Sequence, residues 1–280
     1  MEEYIMGRKL FCELGPTAYK LSVQKGIILR NLSDLFKGEK YAKKKANSDY
    51  EHIIKSHSSL ILRKLEGVDM ELQENKATNL RLASGKINRI VIRPGETFSF
   101  WRTVGLPKEK DGYKEGLTIS SRKGLGRGVG GGLCQCANMV HWLVLHSPLT
   151  VSELHHHSDA LFPDEKRRVP FGTGTSVFYN RLDYRFYNGT NQNFQLLLWT
   201  EDGYLCGELR SDKPIDVSYK IVEEDHHFKK EGADYYRNSM IYRQIKNKAS
   251  GETEKELILQ NHSKVLYDHS LIPEDQIRND

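Results

Sequence analysis

Apolar positions recur at helical spacing in some stretches of the chain and alternate with polar ones in others. Between about Asn75 and Asn88, Ala77, Leu80, Ala83 and Ile87, with Ile90 just beyond, return every three or four residues, which predicts a helix. From Leu133 to His146 the chain is apolar on most sides, through Met139, Val140, Trp142, Leu143, Val144 and Leu145, and Ser147-Pro148 ends the run. A helix of that kind is buried. Ile53, Ile54, Leu60, Ile61 and Leu65 suggest a further, partly amphipathic helix over Tyr50 to Leu65.

Elsewhere the period is that of strands. Thr97-Phe98-Ser99-Phe100-Trp101 alternates polar and aromatic residues, and Leu117 to Ser120 reads as a short strand. Ser176 to Phe186 and Phe194 to Thr200 are rich in β-branched and aromatic residues, and Asn188-Gly189-Thr190-Asn191 between them suggests antiparallel strands joined by a turn. Asp202-Gly203 is a hairpin signal ahead of Tyr204 to Arg210, and Arg93-Pro94-Gly95-Glu96 favours a type II turn. Gly124 to Gly132 reads as a glycine-rich loop. The last seventy residues read as short strands and a polar tail, clearest at Tyr235-Tyr236-Arg237 and Leu257-Ile258-Leu259.

The expected class is α+β: N-terminal helices, then a mostly antiparallel sheet, with a buried helix carrying the glycine-rich loop and a cysteine at its N-terminus. The expected division is a helical or irregular extension over 1–70, a main domain over 71–245, and a C-terminal strand and polar tail over 246–280.

Composition narrows the function classes. With 280 residues, 38% hydrophobic and 28% charged, the chain can bury a core. No stretch approaches the roughly 20 apolar residues of a membrane-spanning helix. Acids stand at the start where a secretion signal wants bases, so the expectation is a cytoplasmic protein, with association with the cell envelope left open. Lys and Arg number 42 against 37 Asp and Glu, and the signs are mixed. The compact basic runs Lys40 to Lys45 and Glu165 to Arg168 read as solvated surface, so nucleic acid is not an expected partner. Cys12, Cys134, Cys136 and Cys206 are too scattered for a secreted disulfide framework and read as reduced thiols.

Chemistry concentrates at Gly128 to Gln135. Four glycines in the five residues Gly128 to Gly132 permit close backbone approach to a ligand, and a helix follows at once. Cys134 falls in its first turn, where free N–H groups and the helix dipole favour a thiolate and could receive an oxyanion. The same features fit a tight turn and a buried core cysteine, and no Gly-Lys-Ser or Gly-Lys-Thr supports a phosphate loop. Cys136 lies about 200° around the helix from Cys134 and reads as core. Asn138 shares the Cys134 face. His141 lies about 10 Å along it, beyond hydrogen-bond reach, and His146 lies farther. The better base candidates are in His155-His156-His157. His155 and His157 with Cys134 would also make a three-ligand zinc site, but no Cys-x-x-Cys or His-Glu-x-x-His supports metal, and no cofactor is expected.

Arg93 to Trp101, Gly112-Tyr113, Gly130-Gly131-Gly132-Leu133-Cys134-Gln135, Glu153 to His157 with Phe162-Pro163, and Leu182-Asp183 together resemble the VanW family over roughly residues 70–245. The family is named after an accessory protein of vancomycin-resistance clusters, and some of its domains are described as cysteine-dependent L,D-transpeptidases of peptidoglycan. The resemblance implies Cys134 as nucleophile, His157 as general base and Asp183 as an orienting acid. Arg93, Trp101, Gly130, Gly131, Gly132, Gln135 and Asn138 are the candidate substrate-binding residues, and a peptidoglycan-type peptide or precursor is the implied partner. This chain departs from the family at Gly174, where many members carry Asp. Two expectations stand side by side: a cysteine acyl transferase acting on stem peptides, and a non-catalytic module that binds a cell-wall peptide or a protein partner.

Overall fold

The computed structural model describes residues 11, 14–62, 69–120, 124–156, 159–160, 163, 169–179 and 181–278. Among them are four α-helices, α1 (Pro16–Phe36), α2 (Met70–Ile87), α3 (Phe100–Val104) and α4 (Cys134–Leu145), combined with mixed but mostly antiparallel sheets. The class is α+β, as the pattern predicts.

The sheet that seats α4 has the order β2 (His52–Leu60), β11 (Tyr204–Ser211), β10 (Phe194–Glu201), β3 (Ile90–Ile92). All its pairings are antiparallel. β10 and β11 form the hairpin that Asp202-Gly203 predicts, with positive φ at both residues (47° and 80°), the backbone of a type I′ turn. α2 packs on β10, and α4 packs on β11 and β2. α4 comes close at Gly207, where a Cβ would lie 3.0 Å from Met139 Cγ and 3.1 Å from Leu143 Cδ1. Leu80, Ile87, Val140, Leu143, Leu196 and Leu198 are fully buried in the shared core.

A second sheet runs β1 (Lys40–Tyr41), β4 (Glu96–Ser99), β9 (Arg185–Tyr187), β7 (Thr150–Glu153). β5 (Glu115–Ser120) and β6 (Gly124–Val129) make a separate hairpin. The C-terminal sheet has the order β15 (Ile277–Arg278), β12 (Val217–Glu231), β13 (Asp234–Asn247), β14 (Thr253–Val265), β8 (Asp159–Ala160). Ala160, Phe171, Phe228, Val265 and Ile272 form its own small core.

Several elements differ from their sequence expectation. Residues 52–60 form a strand, not part of a helix over Tyr50 to Leu65, because their hydrogen bonds go to the whole length of β11. Four poor helix formers, Ser56, His57, Ser58 and Ser59, sit inside it. The irregular-looking start contains the 21-residue α1, with Pro in its first turn after Gly15, a standard helix opening. Trp101 belongs to α3, not to a strand, since Ser99 accepts the Arg102 N–H as an N-cap. Gly124 to Val129 is strand, so only Gly130 to Leu133 remain as turn before α4. Among the described residues of 176–184 there is no strand beyond the isolated Phe178–Leu182 bridge, and β9 and β10 lie in different sheets. Asn188 parts them by donating to Ile92 O and Gln192 O, both at 2.9 Å. The last strands are long, with 15, 14 and 13 residues in β12, β13 and β14.

Candidate functional site

Cys134 opens α4, and the chain reaches it through Gly130, Gly131 and Gly132. Gly130 and Gly132 have φ of 80° and 90°, which side chains rarely adopt. All three glycines are also packed closely. A Cβ on Gly130 would meet Pro107 Cβ at 2.6 Å, one on Gly131 would run into the Gly116 backbone, and one on Gly132 would strike the Lys76 side chain. Asn79 fastens the turn, donating through Nδ2 to Gly131 O at 3.0 Å and Lys114 O at 2.9 Å and accepting the Lys114 N–H at 2.8 Å. Gln135 Nε2 donates to Ser59 Oγ and Leu60 O, both at 3.0 Å, tying the first turn of α4 to β2. The glycines and Gln135 therefore fix where α4 begins.

One side of α4 faces the segment Gly172 to Val177. The half-buried Cys134 donates from Sγ to Val177 O at 3.7 Å. One turn on, Asn138 Oδ1 accepts the Thr175 N–H at 2.7 Å. Gly174 packs on the same amide, where a Cβ would stand 3.4 Å from Asn138 Oδ1. Two turns on, His141 Nδ1 is 3.1 Å from Tyr184 Oη, while Nε2 is buried without a partner among the described residues. The other edge of the covering segment is held by residues 155 and 156. Ser176 N–H donates to His155 O at 2.6 Å, and His156 Nδ1 lies 3.1 Å from Gly172 O.

Burial dominates the electrostatics here. It pushes the Cys134 thiol up, against the backbone at Val177 and at Cys134 itself, which lowers it. The helix-start location therefore does not yield a thiolate in this state. Cys136, in the core, is pushed up to about 12. His141 is pushed down to about 3 by burial, with the nearby His156 acting in the same direction.

Asp183 stands in a separate buried network. Its carboxylate accepts Ser99 Oγ–H at 2.6 Å, the Trp101 N–H at 3.0 Å, the Tyr184 N–H at 2.9 Å and Arg185 Nε–H at 2.8 Å. Arg185 continues to Asp34 of α1, which also pairs with Arg102. Glu153 links this network toward the imidazoles: its Oε1 is 2.9 Å from His155 Nε2 and accepts the Asp183 N–H at 2.9 Å, and its Oε2 pairs with Arg30 of α1. Burial would raise the Glu153 carboxyl, but these bonds from Arg30, His155 and Asp183 outweigh it and hold the group low. Trp101 Nε1 donates to Leu182 O at 2.9 Å, and its ring meets Tyr179 edge-on at 5.4 Å.

The structure thus gathers Cys134 and Asn138 on one face of α4. It places Asp183 and Trp101 together in the neighbouring network, joined to His155 through Glu153. Arg93 stands apart, exposed in the turn before β4, where its N–H donates to Glu96 Oε2 at 2.9 Å. His157 lies outside the described residues, and with it the zinc arrangement of His155, His157 and Cys134. Among the described residues no three His, Cys, Asp or Glu side chains are placed to hold a metal ion. No helix among them is long and apolar enough to cross a membrane. Thr175 and Val177, which meet Asn138 and Cys134 through main-chain groups, carry no side-chain signal that could have marked them. Glu153 could have been found, because it stands two residues before His155.

Comparison with known proteins gives the relationship directly. The family described as VanW like protein matches residues 75–210. The chain is 33% identical over 202 residues to the vancomycin B-type resistance protein VanW of Enterococcus faecalis (strain ATCC 700802 / V583), covering 72% of this chain and 73% of that one. It is 31% identical over 119 residues to the uncharacterized protein YoaR of Bacillus subtilis (strain 168), covering 42% of this chain and 37% of that one. No solved structure matches. The 75–210 segment runs from α2 through α4 into β11 and includes Cys134, Glu153 and Asp183, and the chain belongs to the VanW family.

Proposed function

We propose that this chain acts on peptidoglycan-type peptides by cysteine-dependent acyl transfer, with Cys134 as the nucleophile. The observation that carries the reading is the arrangement on α4: Cys134 in the first turn, Asn138 on the same face, and a covering segment tied on its other edge to the His155 carbonyl and the His156 imidazole. In the state described the thiol is protonated and donates to Val177 O. The Gly172 to Val177 segment must lift before the sulfur can attack.

Attack of the sulfur on a peptide carbonyl forms a thioester and breaks the C–N bond. The thiol proton passes through a base to the departing amine. A second amine, or water, then takes the acyl group and releases the thiol. The resemblance assigns the base to His157. Asn138 can turn its amide toward the substrate once the Thr175 N–H is released. The relative named for vancomycin B-type resistance supports a substrate among cell-wall peptides.

A second reading has its own support. The raised thiol, and the absence at Gly174 of the carboxylate that many members carry, favour a non-catalytic module that binds such a peptide without turnover. Incubating the chain with a donor stem peptide and reading intact mass separates the two. Acyl transfer requires an adduct on Cys134 that Cys134→Ala loses, whereas binding alone gives saturable association that thiol blocking leaves intact.

A further inference from the structure

At the opposite end of α4 from Cys134, a cleft of about 510 Å3 opens between the start of β2, His146 and the chain entering β12. Lys55, His52, His146, Tyr219 and Lys248 line it, together with Ile53 and Ile215. Its volume falls in the range of small-molecule sites, about 300–1,000 Å3.

Of the two lysines in this lining, Lys248 already donates from Nζ to Ile215 O at 2.9 Å, whereas Lys55 meets no acceptor among the described residues. Lys55 is half-buried, and among the described residues no carboxylate pairs with it; its amine stands over the Trp142 ring at 5.7 Å. Burial lowers the Lys55 amine. Behind the lining, Trp142 packs against His146 and Arg243 over Tyr219, and the indole Nε1 and Arg243 Nε are buried without partners among the described residues. Arg243 stands 5.4 Å over the Tyr219 ring and already pairs with Glu256 at 2.6 Å. His146 Nδ1 donates to Trp142 O at 2.8 Å, and its imidazole is pushed down to about 4 by burial, with Lys55, His57 and Arg243 adding positive charge around it. Glu51 is the one acid in the lining.

A half-buried cation such as Lys55 is costly unless something accepts its hydrogen bonds and balances its charge. An oxyanion does both, through several acceptor oxygens at once. We infer that this cleft binds a small organic molecule bearing an oxyanion, carboxylate or phosphate, which meets the Lys55 amine and favours proton uptake on His146 Nε2, while its less polar body rests against Tyr219 and Ile215. The site is separate from the Cys134 face and does not depend on the reaction proposed for it.

The test is calorimetric titration of the full chain with phenyl phosphate, with benzoate, and with benzyl alcohol as the neutral twin, accompanied by NMR titration of the His146 imidazole. The expected result is saturable binding of at least one anion and none comparable for the alcohol, with the tighter anion identifying the group. Bound anion should raise the His146 midpoint from about 4. Lys55→Met should weaken binding about tenfold or more. Glu51→Gln should tighten it, and Cys134→Ala should leave it unchanged. Absence of saturable binding by both anions, equal binding of benzyl alcohol, or anion affinity indifferent to both Lys55→Met and Glu51→Gln would overturn the inference.

Discussion

Cys134 Sγ donates to the carbonyl of Val177 at 3.7 Å, so the thiol at the start of α4 is engaged by the segment lying over it. With the Thr175 N–H that Asn138 Oδ1 accepts at 2.7 Å, that bond joins the two halves of the candidate site, the helix and its cover, and it sets the reactivity expected of the resting protein.

Alkylation of Cys134 at neutral pH should be slower than that of an ordinary thiol, with an apparent pKa above the unperturbed value of about 8.5. Asn138→Ala removes the acceptor of the Thr175 N–H and should speed labelling several-fold by loosening the cover, at a stability cost of about 1 kcal/mol. Mass-resolved iodoacetamide time courses in a Cys136→Ser background measure both. Fast labelling of the unmodified site with a depressed pKa would show that the cover does not protect the thiol.

The histidines set the mild-acid behaviour. His141 is pushed to about 3 and His146 to about 4 in the folded protein. The unfolded value is about 6.5, so between these limits the unfolded chain binds more protons. Their stability contribution is therefore complete above about pH 6.5 and is lost progressively as pH falls. Melting temperature should drop between about pH 7 and about pH 4.5, and His141→Gln should flatten that slope. An unchanged slope in the variant would assign the effect to other groups.

Asp34 acts in a lower window. Burial would raise its carboxyl, but hydrogen bonds and charge from Arg185 and Arg102 outweigh it and hold the group well below the usual carboxylate range. Its contribution is present above about pH 3.9, the unfolded value, and declines only below it. Asp34→Ala leaves Arg185 buried with half its partners and should cost about 3 kcal/mol in denaturant unfolding at neutral pH. A loss well under about 1 kcal/mol would mean that the network tolerates the vacancy.

Two glycines give a paired contrast. Gly131→Ala forces a Cβ into the Gly116 backbone and should destabilise by about 3 kcal/mol or prevent folding. Gly85→Ala, exposed in α2 with nothing within 4 Å, should stabilise by about 0.5–1 kcal/mol. Equal effects from the two, read by urea denaturation, would contradict the packing account of the turn before Cys134.

The sequence carried α2, α4 and the Asp202-Gly203 hairpin openly, because each pairs a strong local period with its own stop or turn residue. It hid β2, whose mixed Ile, Ser and His pattern becomes a strand only beside β11. It hid α1 because that helix turns few large apolar residues inward and is held by Asp34 and Arg30, whose partners Arg102, Glu153 and Arg185 lie far along the chain. At the site, Cys134 and Asn138 were legible as one helix face. The cover was not, since Thr175 and Val177 meet that face through main-chain groups that no side chain announces. The glycines were legible as unusual, but their close neighbours, Pro107, Gly116 and Lys76, come from elements distant in sequence.

Reaction with a donor stem peptide, followed by intact mass on the wild-type chain and on Cys134→Ala, tests acyl transfer most directly. The account predicts a thioester adduct on wild type, release of the leaving amine, and neither in the variant while its circular dichroism spectrum is retained. Turnover that survives in Cys134→Ala, or a wild-type chain that binds the peptide yet never forms an adduct or releases amine, would contradict it.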